Sequence, residues 1–294
     1  MKLLNYESSN GPGPSVGVLK DGQVFRVESV SSVEEIIFGD LLGELPRLLD
    51  NLHSEPLAAV RIRPPISTPD KILLAAVNYR AHGVEQKTPP PTEPYFFTKF
   101  RSCIIGQGDS IVIPRISKKA DWEAELAVVI GRKCRYVSKN EALSYVAGYT
   151  VANDVSFRDL QLPQGWPEKT NPLGQNWVKG KALDATFPLG PWLVTTDEIA
   201  DPQRLRLWLK VNGVERQNAS TGDMIFSVAE LIGYLSSGLT LRPGDVISTG
   251  TPSGVAAFSG APFLRDGDVV ETAVEGIGTL RNPVKSEQVP IAGR

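Results

Sequence analysis

The protein has 294 residues, of which 41% are hydrophobic and 22% charged, a composition typical of a soluble globular protein and too apolar for disorder. Its 31 lysines and arginines against 33 aspartates and glutamates leave no basic surplus, which argues against a general nucleic-acid binder. Two histidines, His53 and His82, and two cysteines, Cys103 and Cys134, are too few for a zinc site of several His and Cys ligands, an iron–sulfur cluster or a disulfide-rich scaffold.

The sequence shows no targeting or membrane signal. Its first seven residues, MKLLNYE, lack the apolar core of a signal peptide. Apolar runs such as 126–130 are far shorter than the roughly 18 residues that a membrane span requires. We therefore expect a cytoplasmic protein with no membrane partner and no nucleic-acid partner.

Residues 1–68 are predicted to form a small N-terminal domain, and residues 69–294 a larger domain of mostly strands. The N-terminal part combines a β-hairpin with a helical segment at 33–49 that a glycine and Pro46 interrupt. The proline-rich stretch 63–69 cannot hold a helix and predicts a linker.

Two dipeptides predict tight hairpins, Asp-Gly at 21–22 and Asn-Gly at 212–213. Short apolar runs separated by turn residues predict further strands along the larger domain. The chain does not alternate strands and helices, so a β-rich α+β fold is expected rather than a parallel βαβ sheet.

Two Ser-x-x-Glu capping boxes predict helix starts, one at Ser138 and one at Ser227. Glycine is common just past the end of a helix, so the two helices are expected to end near Gly148 and Gly238.

The segment 122–130 predicts a strand that carries Glu123 and Glu125 on one face, because residues two apart in a strand share a face. Beyond the glutamates that face is apolar as well, and two like charges on a half-buried face repel each other. A divalent cation would relieve the repulsion. The alternative is a strand end that emerges into water beside Lys118 and Lys119, and the spacing alone does not decide between them.

Asp154 follows the apolar run 148–152 and could supply a third ligand. Asn-Asp after a strand is otherwise usually a turn or a helix cap. Carboxylate oxygens are hard ligands, which favour Mg²⁺, Mn²⁺ or Ca²⁺ over zinc.

Together these segments resemble the fumarylacetoacetate hydrolase family over about residues 71–284. The motifs that carry the resemblance are Asn78–His82, Glu123–Glu125, Gly148–Ser156, Gly180–Lys181, Pro188–Pro191, Asp223–Ser227, Pro243–Ile247, Thr249–Val255 and Gly276–Pro283. Their order and approximate spacing match the family, and its acylpyruvase and 2-hydroxyhepta-2,4-diene-1,7-dioate isomerase members are the nearest in pattern.

The resemblance implies a mixed β-roll or β-sandwich catalytic domain with a small N-terminal domain, usually dimeric, that holds Mg²⁺ or Mn²⁺. It places the metal carboxylates at Glu123, Glu125 and Asp154 and the family lysine at Lys181. Lys179, two residues earlier, could be mistaken for that lysine.

The resemblance also implies residues that contact the substrate, which we place at Tyr79, Arg158, Gln161 and Thr251. Arg158 could instead be a structural ion-pair partner of Asp159.

In relatives that hydrolyse acylpyruvates, a lid supplies a His-x-x-Glu dyad, and His82 with Glu85 matches it. His82 is then the catalytic base, oriented by Glu85, whereas the alternative is an ordinary surface histidine. His53 lies in the variable N-terminal part and is expected to be structural. The proline-rich loop 87–94 should be extended, and the segment around His82 should close over the metal when ligand binds.

Three functions are compatible with these residues. The first is divalent-metal-dependent hydrolysis of a C–C bond in an acylpyruvate or related β-diketo acid. The second is isomerisation or decarboxylation of a 2-oxo or 2-hydroxymuconate-type diacid such as oxaloacetate at the same metal, since fold and metal do not settle a reaction. The third is a non-catalytic metal-binding module.

Some departures from the family pattern leave open which keto acid is the substrate. Phe157 stands where many relatives have alanine, and 182–184 differs after the lysine. The stretch 162–177 is predicted to be a longer loop beside the site.

Overall fold

The computed structural model describes residues 1–8, 13–28, 30–48, 53–161 and 174–288. Strands dominate these ranges and the helices are short, which confirms the predicted β-rich α+β class. The long loop expected at 162–177 lies mostly outside the described residues. No helix in the described ranges is both long and apolar enough to cross a membrane.

The strands are β1 Lys2–Ser8, β2 Pro14–Lys20, β3 Gln23–Arg26, β4 Ser54–Pro56, β5 Val60–Arg63, β6 Ile72–Ala76, β7 Tyr95–Thr98, β8 Ile104–Ile105, β9 Ile111–Ile113, β10 Ala120–Asp121, β11 Ala124–Ile130, β12 Val146–Asn153, β13 Ser156–Phe157, β14 Phe187–Thr195, β15 Arg206–Val211, β16 Val214–Ser220, β17 Val246–Ser248, β18 Val269–Val274 and β19 Gly278–Ser286. The α-helices are α1 Val33–Phe38, α2 Leu45–Leu48, α3 Arg80–Glu85, α4 Lys139–Ala142, α5 Trp177–Lys181, α6 Val228–Ser236 and α7 Ala256–Ser259.

The strands form one large sheet and two smaller ones. Twelve strands make the large sheet, in the order β4-β3-β2-β1-β14-β12-β11-β17-β6-β7, with β5 paired to β1 and β8 to β14. A five-stranded sheet, β16-β15-β18-β19-β9, and the pair β10-β13 make up the rest. Because β1 pairs antiparallel with β14, the N-terminal strands extend the sheet of the larger domain. The domain boundary at residue 68 stays a prediction.

Strands β11 and β12 lie in the middle of the large sheet and are buried along their whole length. Leu126 and Val128 pack in one hydrophobic cluster, while Ala127 and Val129 pack in a second cluster on the other face. The apolar character of both faces, visible in the sequence, therefore reflects a strand covered on both sides.

Both predicted hairpins are present. β2 and β3 pair across 21–22, and β15 and β16 pair across 212–213. The residues of both dipeptides have positive φ, between 49° and 77°, which the tight turn of a right-twisted hairpin requires.

The helix predictions were right for α6 and wrong in extent for α4. α6 has the complete capping box of Ser227 and Glu230, with Gly238 just beyond its end at a φ of 97°. α4 starts after Ser138 as predicted but ends at Ala142, well short of Gly148. Gly148 lies inside β12, where a Cβ would come within 2.3 Å of the Val194 carbonyl oxygen.

The helical segment expected at 33–49 is two short helices. α1 ends at the C-cap Gly39. Pro46 does not interrupt a helix but lies in the first turn of α2, where a missing N–H costs nothing.

Candidate active site and metal centre

Three buried carboxylates meet where β11 begins and β12 ends. Ala124 pairs with Asn153, so Glu123 precedes one strand at the point where Asp154 follows the other, and the Asp154 N–H donates to the Glu123 carbonyl oxygen at 2.9 Å. Glu125 lies two residues into the same end. One carboxylate oxygen from each of Glu123, Glu125 and Asp154 lies within 4.8 Å of the others. The alternative of a strand end open to water is therefore wrong.

Buried cations surround the carboxylates. Lys181 Nζ donates to Glu123 at 2.7 Å and to Asp154 at 2.6 Å. Arg158 donates to Glu123 at 2.6 Å and to Asp121 at 2.8 Å. Asp159 instead accepts from the Ser117 hydroxyl and the Lys118 N–H, so the alternative of an Arg158–Asp159 ion pair is wrong.

The surroundings shift the pKa values of the three carboxylates differently. Burial alone would raise the pKa of Glu123, but the charges of Lys181 and Arg158 outweigh it and hold that pKa well below its usual value. Burial, reinforced by the charges of Asp154 and Glu123, raises the pKa of Glu125 well above its usual value. Burial also raises the pKa of Asp154, against the opposing charges of Lys181 and Lys99.

This carboxylate cluster fits a divalent cation. Asp154 Oδ1 is buried and receives no hydrogen bond from the described residues. Lys99 Nζ lies 3.1 Å from it and offsets its charge, but not in hydrogen-bonding geometry. A buried acceptor without a donor lies beside a second carboxyl group, Glu125, whose pKa burial and like charges raise. A hard cation bound between the two would supply the missing partner and offset the like charges.

The His82–Glu85 dyad is formed on α3. His82 Nδ1 lies 3.0 Å from Glu85 Oε2, and the other oxygen of Glu85 accepts from the Gly254 N–H at 3.0 Å. The side chain of His82 is buried, and its Nε2 contacts the side-chain amide nitrogen of Gln86. His82 is therefore not an ordinary surface histidine, whereas His53 is exposed.

The residues assigned to the substrate fall into two groups. Arg158, Gln161 and Thr251 line a cavity of about 300 Å³ together with His82. Tyr79 is fully buried in the hydrophobic core and is not among the residues that line this cavity, so its placement does not support direct contact with substrate.

Thr251 holds its turn as well as lining the cavity. Its hydroxyl donates to the Ala124 carbonyl oxygen at 2.9 Å and accepts from Gln217 Nε2 at 2.9 Å. The hydroxyl proton is thus already used, which limits the predicted role of Thr251 toward a substrate carboxylate.

The rest of the cavity is largely apolar. Two rings, Phe97 and Trp177, stack at a centroid distance of 4.7 Å, and Phe258 lies edge-on to the imidazole of His82. Further lining residues come from the C-cap of α3, the loop after it, the start of β7 and the segment before α5; they are Gln86, Thr88, Pro89, Pro91, Tyr95 and Gln175. The cavity therefore combines a charged floor with apolar walls, as ligand sites commonly do.

Sequence reasoning missed three residues that organise the site. Lys99 Nζ donates to the carbonyl oxygens of Val155 and Thr186, both within 3.1 Å, and to that of Lys181. Asp121 orients Arg158, and Gln217 supports Thr251. The sequence feature that could have indicated Lys99 is its position directly after the aromatic strand β7.

Residues 71–285 match the family described as fumarylacetoacetate (FAA) hydrolase C-terminal. The chain belongs to the fumarylacetoacetate hydrolase family. It is 41% identical over 295 residues to the mitochondrial oxaloacetate tautomerase of Xenopus laevis, covering 97% of this chain and 90% of that protein.

Two solved structures resemble the chain over nearly its whole length. A 5-carboxymethyl-2-hydroxymuconate delta-isomerase from Mycobacterium smegmatis is 34% identical with a TM-score of 0.77, covering 98% of this chain and all of that one. A maleylpyruvate hydrolase from Sphingobium sp. SYK-6, in complex with manganese(II) and pyruvate, is 30% identical with a TM-score of 0.80 and the same coverage. These relatives are enzymes of different reaction classes, and one binds a metal.

Proposed function

We propose that the protein is a Mg²⁺- or Mn²⁺-dependent hydrolase that cleaves a C–C bond of an acylpyruvate or related β-diketo acid. The observation that carries the proposal is that His82 of the dyad and Glu123 of the carboxylate cluster line one cavity. A base beside a metal centre is what water addition to a carbonyl requires.

Glu123, Glu125 and Asp154 are the residues that would hold the cation. A bound divalent cation supplies positive charge to the oxygens of a 2-oxo acid, whose electron density rises as the C–C bond breaks. Lys181 adds a fixed positive charge in the same place, because burial lowers its pKa less than Asp154 and Glu123 raise it. Arg158 and Gln161 line the cavity and offer N–H donors to the substrate carboxylate.

His82 acts as the base for the attacking water. Glu85 accepts a hydrogen bond from the Nδ1–H group, so the proton of the neutral imidazole stays on Nδ1 and the lone pair is on Nε2. Nε2 takes a proton from water, and the hydroxide adds to the distal carbonyl carbon. The bond between that carbon and the adjacent methylene then breaks, and its electron pair goes to the methylene carbon. That carbon takes up the proton held on His82 Nε2, which regenerates the base, and the products are a carboxylic acid and pyruvate.

A panel of acylpyruvates, fumarylpyruvate and oxaloacetate, assayed with Mg²⁺, Mn²⁺ or EDTA, tests this function. We expect an acylpyruvate to be cleaved with either metal. Activity should vanish with EDTA, because removing the cation removes the main positive charge beside the oxygens of the 2-oxo acid. Cleavage that survives full chelation would contradict the metal mechanism. Cation binding without turnover of any substrate would favour a non-catalytic module.

A second candidate is conversion of oxaloacetate by tautomerisation or decarboxylation at the same metal. The observation that favours it is the 41% identity to an oxaloacetate tautomerase. Neither conversion adds water to a carbonyl, so the two candidates differ in their need for a base that activates water.

Replacing His82 separates the candidates. His82→Ala should lower acylpyruvate hydrolysis about 10²- to 10⁴-fold, the usual contribution of a general base, and spare decarboxylation. Steady-state rates for both substrates on one preparation measure this, with His53→Ala as the control because His53 is exposed and outside the cavity. Equal hydrolysis by His82→Ala and the unsubstituted protein would exclude His82 as the base.

A further inference from the structure

The hydrogen bonds of α3 define the tautomer of His82. The carboxylate of Glu85 can only accept, so the nitrogen 3.0 Å from it, Nδ1, carries the proton. In the neutral imidazole, Nε2 then has the lone pair. The Gln86 amide nitrogen, a donor only, lies against Nε2, so the amide N–H points to the atom that the proposed reaction needs free.

The backbone keeps Gln86 in this place. Gln86 is the C-cap of α3, and its N–H donates to the carbonyl oxygen of His82 at 3.0 Å. Residues four apart share a face of a helix, which sets the amide beside the imidazole. The chain turns away at Lys87, where φ is 56°.

The helix that carries both residues is also fixed to the site. The Gly254 N–H donates to Glu85, which ties the end of α3 to the turn that contains Thr251. Gln86 and His82 both line the cavity. Because His82 and Gln86 belong to the same helical turn, a small movement of α3 would carry both side chains together and would not separate the amide from the imidazole.

We propose that Gln86 is a positioning residue that occupies Nε2 of His82 until the attacking water displaces it. This inference rests on the proposed function and deepens it. The lone pair of Nε2 accepts one linear hydrogen bond, so the amide and the water compete for it. Gln86 thereby lowers hydrolysis relative to conversions at the same metal that add no water.

The nitrogen NMR spectrum of the imidazoles tests the contact directly, because the chain has only two histidines. Gln86→Met keeps the approximate length of the side chain and removes its N–H. With Mg²⁺ and no substrate, we expect the His82 Nε2 resonance to shift between the two proteins while that of exposed His53 stays in place. His82→Ala assigns the signals. Coincident His82 spectra in the two proteins would overturn the proposal.

The ratio of two activities tests the consequence. Gln86→Met should raise acylpyruvate hydrolysis relative to oxaloacetate tautomerisation about two- to tenfold, the worth of one hydrogen bond. Val84→Ala on the same helix, at a residue 78% exposed, is the control and should leave the ratio unchanged. An unchanged or lower ratio in Gln86→Met would overturn the proposal. No turnover of either substrate by the unsubstituted protein would refute the proposed function, and the spectra would still decide the contact.

Discussion

Lys181 is the residue on which the charge balance of the site depends most. Its ammonium group bridges Glu123 and Asp154 at 2.7 and 2.6 Å, and all three side chains are buried. Removing one partner of a buried ion pair is strongly destabilising, because the remaining charges lose their compensation without regaining water.

Lys181→Met should therefore affect both stability and activity. We expect metal-free protein to lose about 3–5 kcal/mol of unfolding free energy, and the metal-loaded protein to lose hydrolysis by about 10²- to 10³-fold. Denaturation in EDTA and initial rates in Mn²⁺ measure the two effects.

Lys179→Met is the matched control, since Lys179 lies on the same helix and is exposed. It should change the unfolding free energy by no more than about 0.5 kcal/mol. If both substitutions had the same effect, the bridge to Glu123 and Asp154 would not be the reason.

The carboxylates and the dyad of the site could be predicted residue by residue, but their supporting residues could not. Alternation in β11 and the end of β12 raise Glu123, Glu125 and Asp154 as candidates, and the resemblance to the family then singles them out. Lys99 is different, because its acceptors are backbone carbonyl oxygens at 155, 181 and 186 that only the folded chain brings together. No spacing in the sequence predicts that these three carbonyl oxygens lie together.

At the scale of elements, α6 depends on its capping box. Hydrogen bonds from Lys139 and then from Ser227 lower the pKa of Glu230 from its usual 4.5 to about 2. A carboxyl group with a lowered pKa stabilises the fold above its unfolded pKa and loses that contribution as the pH falls through its folded one. The window for this loss runs from about pH 4.5 down to about pH 2.

Glu230→Gln should destabilise the protein at pH 7 by about 0.5–1 kcal/mol, a modest amount because the side chain is more than a third exposed and screened by water. The deficit should shrink as the pH falls from 4.5 toward 2. Urea denaturation at several pH values measures it. Glu141→Gln, in the box of α4 that lacks the cap hydrogen bond, should have a smaller effect; a deficit that is constant with pH would contradict the assignment.

The difference between α4 and α6 shows where local signals fail. Both begin with Ser-x-x-Glu, yet α4 stops after four residues. The chain beyond it enters β12, which pairs with both β11 and β14, and the Gly131 N–H binds the Tyr145 carbonyl oxygen at 2.7 Å. Pairing in the sheet outweighs helix propensity there, and no local pattern reveals a partner strand so far along the chain.

At the scale of the whole molecule, a cation bound only by the folded protein should stabilise the fold by mass action. At a concentration about 100 times its dissociation constant, Mn²⁺ should add about 2.7 kcal/mol, and the Tm in calorimetry should exceed that in EDTA by several degrees. Glu125→Gln should remove most of this gain, because a neutral amide is a poorer ligand than a carboxylate.

Glu141→Gln is the control, since Glu141 is exposed and outside the carboxylate cluster, and it should keep the full gain. The same Tm in Mn²⁺ and in EDTA would show that the cluster holds no cation. The expected homodimer and the cytoplasmic location stay predictions, and the Xenopus relative is mitochondrial by name.

The turn that contains Gly254 packs against a strand outside the site, β16 of the five-stranded sheet. Gly254 has a φ of 102°, and a Cβ there would lie 2.0 Å from the carbonyl oxygen of Arg216 on β16. Gln217, on the same strand, donates to Thr251 and to the Pro252 carbonyl oxygen. The β15–β16 hairpin thus supports the turn 251–254, whose Gly254 N–H holds Glu85 of the dyad. A genetic screen for inactive protein should therefore recover substitutions in this hairpin that lower the rate of catalysis, although the substituted side chains do not contact the substrate.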